Sequence, residues 1–237
     1  MITGLADFYA MILPYKFGLS TESDLFRIAN RRAMGYYTSP VVHLNNTLAA
    51  NLAWTDLHAG RLSYYRGCMY FVRLNDQIVQ KSGGQRSLEN LVLPILEARK
   101  ADRHHGIELW LDLLGKELGQ GGIDEFHAML NGTLIIPAPN ALHPNFRLIR
   151  EDAEPYDLGF AQRSLNDKVI SGLDPDSRAA KAGLRDGDVL SNVQMWDTID
   201  EIDKEIVMNL RRGDEVLDVK YWPRGFQKVE AYKWTEV

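Results

Sequence analysis

With 237 residues, 45% of them hydrophobic and 25% charged, the chain has the composition of a soluble globular protein, which disfavours disorder, a collagen-like repeat or a disulfide scaffold. The net charge of -5 is unevenly spread: residues 1–150 hold 15 basic and 13 acidic groups, residues 151–237 hold 12 and 19, and so acidic a C-terminal third argues against a nucleic-acid surface. The single cysteine, Cys68, excludes an intrachain disulfide and any multi-cysteine metal centre, and none of the six histidines stands in an H-E-x-x-H pair.

Residues 1 to about 132 read as helical. Leu5, Phe8, Tyr9 and Ile12 recur at helical spacing, and Pro14 is expected to close that segment. Ser20 or Thr21 can cap a second helix whose Leu25, Ile28 and Ala29 share a face. A third is expected from Asn46 to His58. The next, Ser63 to Gln80, carries one apolar stripe of Tyr64, Cys68, Phe71, Leu74 and Ile78, and Ser82-Gly83-Gly84 stops it. Ser87 can cap a helix that Pro94 kinks or shortens, and two more follow near Gly106–Leu118 and Ile123–Leu130, separated by Gly119-Gln120-Gly121-Gly122. Four prolines between Ile135 and Pro155 suit a linker, placing a domain boundary near residue 150. Beyond it, β-type runs are expected at Lys168–Ser171, Val189–Gln194 and Glu215–Trp222, with a short helix at Ser177–Ala182 and a longer one at about Thr198 to Leu210.

The C-terminal third carries a specific pattern. Leu158-Gly159-Phe160-Ala161 is followed by a small-residue segment, then Ala182-Gly183-Leu184 and Gly187-Asp188-Val189-Leu190. Gly183 can take the left-handed conformation that ends a helix, and Gly187 the turn into a strand. These residues resemble a PDZ domain over about 80 positions. The resemblance implies that backbone N–H groups of Leu158, Gly159, Phe160 and Ala161 cradle a terminal carboxylate while a peptide adds as a strand. This region has no histidine, so the Ser/Thr-selecting specificity found in some PDZ domains is not implied.

The helical part, followed by that domain, resembles the glycyl aminopeptidase family of gluzincin metallopeptidases. Gly4-Leu5-Ala6-Asp7-Phe8-Tyr9 is similar to the family's segment after the third zinc ligand, and Ser63-Tyr64-Tyr65-Arg66-Gly67 to its S-Y-Y-x-K/R-G. The expected fold is therefore a mainly α part over 1–150, corresponding to the helical half of a thermolysin-like catalytic domain, followed by an α+β PDZ domain over 151–237. The resemblance assigns Tyr64, with Tyr65 as a possible substitute, to stabilising the oxyanion of a tetrahedral intermediate. It also implies an H-E-x-x-H helix upstream of Gly4, which this sequence does not contain, and it puts Thr3 where the third ligand would be a glutamate.

The expectation is thus a peptidase-like chain with no metal site and no cofactor, zinc entering only if the upstream helix exists. It would act, if at all, as a peptide- or protein-binding module. Two alternatives stay open: a fragment or truncated product of an active zinc-dependent aminopeptidase, and a helical cleft repurposed for biosynthetic chemistry. Glu108 follows His104 by four residues, but a solvated helix junction is the favoured reading there, and Cys68 reads as an inert core thiol. Expected partners are a C-terminal peptide or protein at the PDZ-like groove and a second copy through an exposed helical face, with neither nucleic acid nor membrane. Met1–Asp7 has no basic region and no run of about 18 apolar residues occurs, so a cytoplasmic location is expected.

Overall fold

The computed structural model describes residues 2–237. Seven helices occupy the first part: α1 (Ile2–Lys16), α2 (Glu22–Tyr37), α3 (Asn46–Leu52), α4 (Leu57–Lys81), α5 (Glu89–Lys100), α6 (Ile107–Leu118) and α7 (Gln120–Leu130). They are followed by strand β1 (Phe146–Arg150), short helices α8 (Ser164–Asp167) and α9 (Arg178–Lys181), then β2 (Val189–Gln194), β3 (Ile206–Arg212), β4 (Glu215–Tyr221) and β5 (Tyr232–Glu236). A helical part therefore precedes a β-containing one. The chain divides into two compact units: one holds the residues up to Ile28, Val41–Ile149 and Trp234–Val237, the other Ala29–Pro40 and Arg150–Lys233.

The first unit is organised around α4. Its buried residues include Leu62, Tyr65, Cys68, Met69, Phe71, Val72, Leu74 and Ile78, and the Phe71 ring lies 6.4 Å from Phe8 of α1. Phe71 meets the Trp110 ring edge-on at 5.9 Å, and Trp110 in turn lies 6.0 Å from Phe126, an arrangement that stabilises a core beyond simple area burial. An ion pair of Arg73 with Glu125, and Gln77 Nε2 donating to Glu125 at 2.9 Å, tie α4 to α7. Strands β1 and β5 pair with each other, and the Val237 N–H donates to the Asn145 carbonyl at 3.0 Å.

Several boundaries differ from expectation for identifiable reasons. Pro14 lies inside the last turn of α1, where its missing N–H removes one hydrogen bond without ending the helix, which runs on to Lys16. The expected helix over Asn46–His58 is two helices, because the Asp56 carboxylate caps a new one by accepting from the N–H groups of His58 (2.9 Å) and Ala59 (2.8 Å). Pro94 is accommodated within α5, and only Gly119 separates α6 from α7. Tyr64 leaves the apolar stripe: it is 44% exposed, whereas Cys68, Phe71, Leu74 and Ile78 are buried.

In the second unit β2, β3 and β4 form an antiparallel sheet with β3 in the centre. The helix expected over Thr198–Leu210 is absent there. A single 3-10 turn covers Trp196–Ile199, and Ile206–Arg212 is strand β3. Ile206, Met208 and Leu210 are fully buried at a spacing of two, which a central strand satisfies on one face. The expected run at Lys168–Ser171 contributes one bridge, Val169 to Val189, rather than a strand. The short helix α9 does form, capped by Ser177 Oγ accepting from the Ala180 N–H and ended by Gly183 at φ +100°.

Candidate functional site

A cavity of about 1190 Å³ opens in the first unit between α1, α3, the turn before α4, α4 itself and the end of α7. Its position follows from a close crossing of α1 and α4. A β-carbon built on Gly4 would lie 2.4 Å from the Gly67 Cα, so the two helices touch backbone to backbone. That contact brings the N-terminal turn of α1 against the next turn of α4, where the Thr3 hydroxyl donates to Ser63 Oγ at 3.3 Å. Thr3, Ser63 and Tyr64 thereby share one wall, although some 60 residues separate them in sequence.

The opposite wall is α3. Asn45 accepts the Leu48 N–H through Oδ1 at 2.9 Å, capping the helix, and Asn46 accepts Arg66 Nη1 through Oδ1 at 2.7 Å. Arg66 is fully buried beneath this floor and also donates to the Val42 and Leu44 carbonyls at 2.6 Å each. Each asparagine carbonyl oxygen thus accepts one hydrogen bond from within the protein. Asn51 and Asn131 add two more carboxamides, and Trp54, 96% exposed, stands at the rim. Asn45 and Asn131 each open an N-x-T sequon in the sequence, a pattern that says nothing of a cavity, and no motif marked Asn46 or Trp54. The one available signal was a lone tryptophan in a small-residue polar stretch.

Tyr64 lines this cavity. Tyr65 is buried, accepts from Arg61 Nη1 at 3.2 Å and is not among the described residues that line the cavity. Among the described residues the lining has no carboxylate, imidazole, thiol or cationic group. Neutral hydroxyls and carboxamides are poor zinc donors, so the residues around Thr3 do not fit the metal that the family resemblance implies. Among the described residues as a whole, no group of three or more His, Cys, Asp or Glu is placed to hold a metal ion. His104 and Glu108 meet at 2.9 Å, but both side chains are more than two-thirds exposed and no third ligand joins them.

In the second unit the Leu158–Ala161 loop packs against the start of α9. Gly159 has φ +75°, and a β-carbon there would come within 2.6 Å of Ser177 Cβ. Its N–H donates to Asp157 Oδ1 at 2.8 Å and its carbonyl accepts the Asp174 N–H at 2.8 Å. The Ala161 N–H donates to the Ser171 carbonyl at 3.0 Å, and the Leu158 carbonyl accepts from the Tyr221 hydroxyl at 2.7 Å, whose pKa burial raises. Leu158 and Phe160 are themselves buried. Asp188, of the Gly187-Asp188 pair, is held by Arg212 through two bonds of 2.7 and 2.8 Å, which keep its carboxyl below the usual range.

A crystal structure of an aminopeptidase N family protein from Idiomarina loihiensis superposes on this chain with a TM-score of 0.60 and 12% sequence identity. The fold is aminopeptidase-like. The match covers 99% of this chain and 46% of that one, so the chain spans about half the length of its structural neighbour. No family model matches the sequence, and no curated protein matches it. Among the described residues, no helix is long and apolar enough to cross a membrane.

Proposed function

We propose that this chain is a peptidase-like binding protein. In this reading the helical unit corresponds to part of a glycyl-aminopeptidase-type catalytic domain, and the cavity beside Tyr64 holds a peptide without a resident zinc ion. The observation that carries the reading is the meeting of Thr3 and Tyr64 at one neutral cavity. The position that the resemblance gives to a metal-binding carboxylate bears a hydroxyl bonded to Ser63, while the tyrosine it assigns to the oxyanion remains exposed. The β-containing unit is PDZ-like on this view. Its carboxylate loop in that reading is Leu158–Ala161, and the span where a longer helix was expected holds a 3-10 turn and strand β3 instead. The helical cavity is therefore the better-supported binding site.

Calorimetric titration of zinc and of a short peptide into the purified chain, alongside hydrolysis of alanine 4-nitroanilide, tests this. Peptide binding with neither a stoichiometric zinc site nor zinc-dependent hydrolysis is the expected outcome. One tightly bound zinc per chain with hydrolysis would overturn the reading.

A second reading is favoured by the 46% coverage of the neighbour: the chain is one half of an active enzyme whose other half supplies the metal site. Tyr64 would then donate its hydroxyl proton in a hydrogen bond to the substrate carbonyl oxygen as that atom gains charge. Tyr64→Phe in the longer protein would lower kcat by roughly 10²–10³-fold, as loss of a single oxyanion donor does.

A further inference from the structure

Strand β4 is an edge of the β2–β3–β4 sheet, and its pairing with β3 is regular throughout, from Arg212 opposite Glu215 to Ile206 opposite Tyr221. Gly213, at φ +61°, and Asp214 alone join the two strands, so the closing pair Arg212–Glu215 exchanges both backbone hydrogen bonds, and every second pair after it does the same. Glu215, Leu217, Val219 and Tyr221 therefore direct their backbone groups at β3. Val216, Asp218 and Lys220 turn theirs outward, to the side on which the sheet has no further strand among the described residues. The same three residues are exposed, Val216 by 76%. We infer that β4 pairs antiparallel with β4 of a second copy about a two-fold axis at Val219, joining two three-stranded sheets into one.

Charge selects that register. An axis at Asp218 sets two carboxylates face to face, an axis at Lys220 sets two ammonium groups together, and an axis at Leu217 sets Val216 against Asp218. An axis at Val219 sets Asp218 opposite Lys220 of the second copy, and Lys220 opposite that copy's Asp218. These are also residues whose N–H and C=O point outward, so each such pair combines two backbone hydrogen bonds with an ion pair, and the symmetry doubles the set. On the other face Leu217 meets Tyr221 of the second copy. Asp218 is held in line for this role, since Asn209 Nδ2 on β3 donates to its Oδ1 at 2.6 Å and leaves the carboxylate its second oxygen. A lone lysine on an edge discourages pairing; matched with Asp218 it admits one register and rejects the others. The opposite edge is less suited. β2 has a register shift between Leu190 and Asn192, and Val169 bridges to Val189 at its start, features that twist or cover an edge. β4 has neither a shift nor a proline.

Sedimentation velocity of the purified chain from about 10 μM to 1 mM, a range suited to an interface smaller than the standard size, tests this together with amide hydrogen exchange read by NMR. Dimer should accumulate with concentration. Exchange at the Asp218 and Lys220 N–H groups should slow in step, while the Val219 N–H, already bonded to β3, should not change. Asp218→Lys and Lys220→Asp, each checked for folding by circular dichroism, should each weaken dimerisation about tenfold or more by setting like charges opposite. An equimolar mixture of the two variants should dimerise again, because one strand then carries two lysines and the other two aspartates. A wild-type chain that stays monomeric across the range would overturn the inference. Dimerisation that leaves exchange at those two amides unchanged, or that persists undiminished in both variants, would overturn it by placing the second copy elsewhere, such as on a helical face. A mixture that stays monomeric would overturn it too, because the charges would then not lie opposite each other.

Discussion

Gly4 and Gly67 lie so close that a β-carbon on either would fall within 2.5 Å of the other's Cα. Only two residues without side chains permit α1 and α4 to meet this way, and Thr3 and Ser63 are within hydrogen-bonding distance as a consequence. Gly67→Ala should force the helices apart. The expected loss is about 2–3 kcal/mol, the cost of overpacking a tight contact, read as a lower denaturant midpoint at unchanged slope. The same variant should weaken any ligand of the adjacent cavity, because the Thr3 wall moves with α1.

Asp188 couples the second unit's stability to pH. Its carboxylate is buried, and hydrogen bonds from Arg212 and from the Arg185 N–H hold its pKa below the 3.8 of an exposed aspartate. A carboxyl whose folded-state pKa is depressed stabilises the fold above its unfolded value and loses that contribution as pH falls through the folded one. Melting temperatures should therefore decline as pH drops from about 5 towards 2. Asp188→Asn should flatten part of that decline while lowering stability at neutral pH. Asp188→Ala, which removes the acceptor of both the Arg212 guanidinium and the Arg185 N–H, should lower stability further than Asp188→Asn in chemical denaturation.

At the start of α4, the Asp56 carboxylate accepts two backbone N–H groups that would otherwise lack partners. Asp56→Ala should destabilise the protein by about 1 kcal/mol, and Asp56→Asn by less, since asparagine caps nearly as well. Thermal melts of the two variants side by side check this. Equal losses would show that charge rather than capping matters at the position.

Gly159→Ala meets two obstacles at once, a backbone at φ +75° and Ser177 Cβ at 2.6 Å. A loss of about 2–3 kcal/mol is expected, combining the strain of a left-handed residue with overpacking. Because the Gly159 N–H and carbonyl tie the loop to Asp157 and Asp174, amide hydrogen exchange at Asp174 should accelerate with it.

The helices were legible where periodicity and punctuation agreed. The spacing of Cys68, Phe71, Leu74 and Ile78 and the Ser82-Gly83-Gly84 stop delimit the C-terminal part of α4, and Ser177 with Gly183 delimits α9, because caps and apolar stripes are local properties of the chain. Residues 206–212 were not legible in the same way. Ile206, Val207, Met208 and Leu210 suit a helix face as well as a strand, and pairing with both β2 and β4 decided the matter. Tyr64 illustrates the same limit on a single side chain. Its spacing matches the buried stripe, yet α3 and α1 flank it without covering it, and it stands 44% exposed on the cavity.

Composition and charge thus pointed to a globular chain with an acidic last third, apolar spacing to a helical first part, and the segments around Gly4 and Ser63 to an aminopeptidase-like relative. The sequence alone could not reveal that Thr3, Tyr64 and the asparagines at 45, 46, 51 and 131 border one neutral space. That arrangement depends on contacts between helices distant in sequence, first among them the meeting of Gly4 with Gly67, and no periodicity within a helix encodes which other helix it will touch.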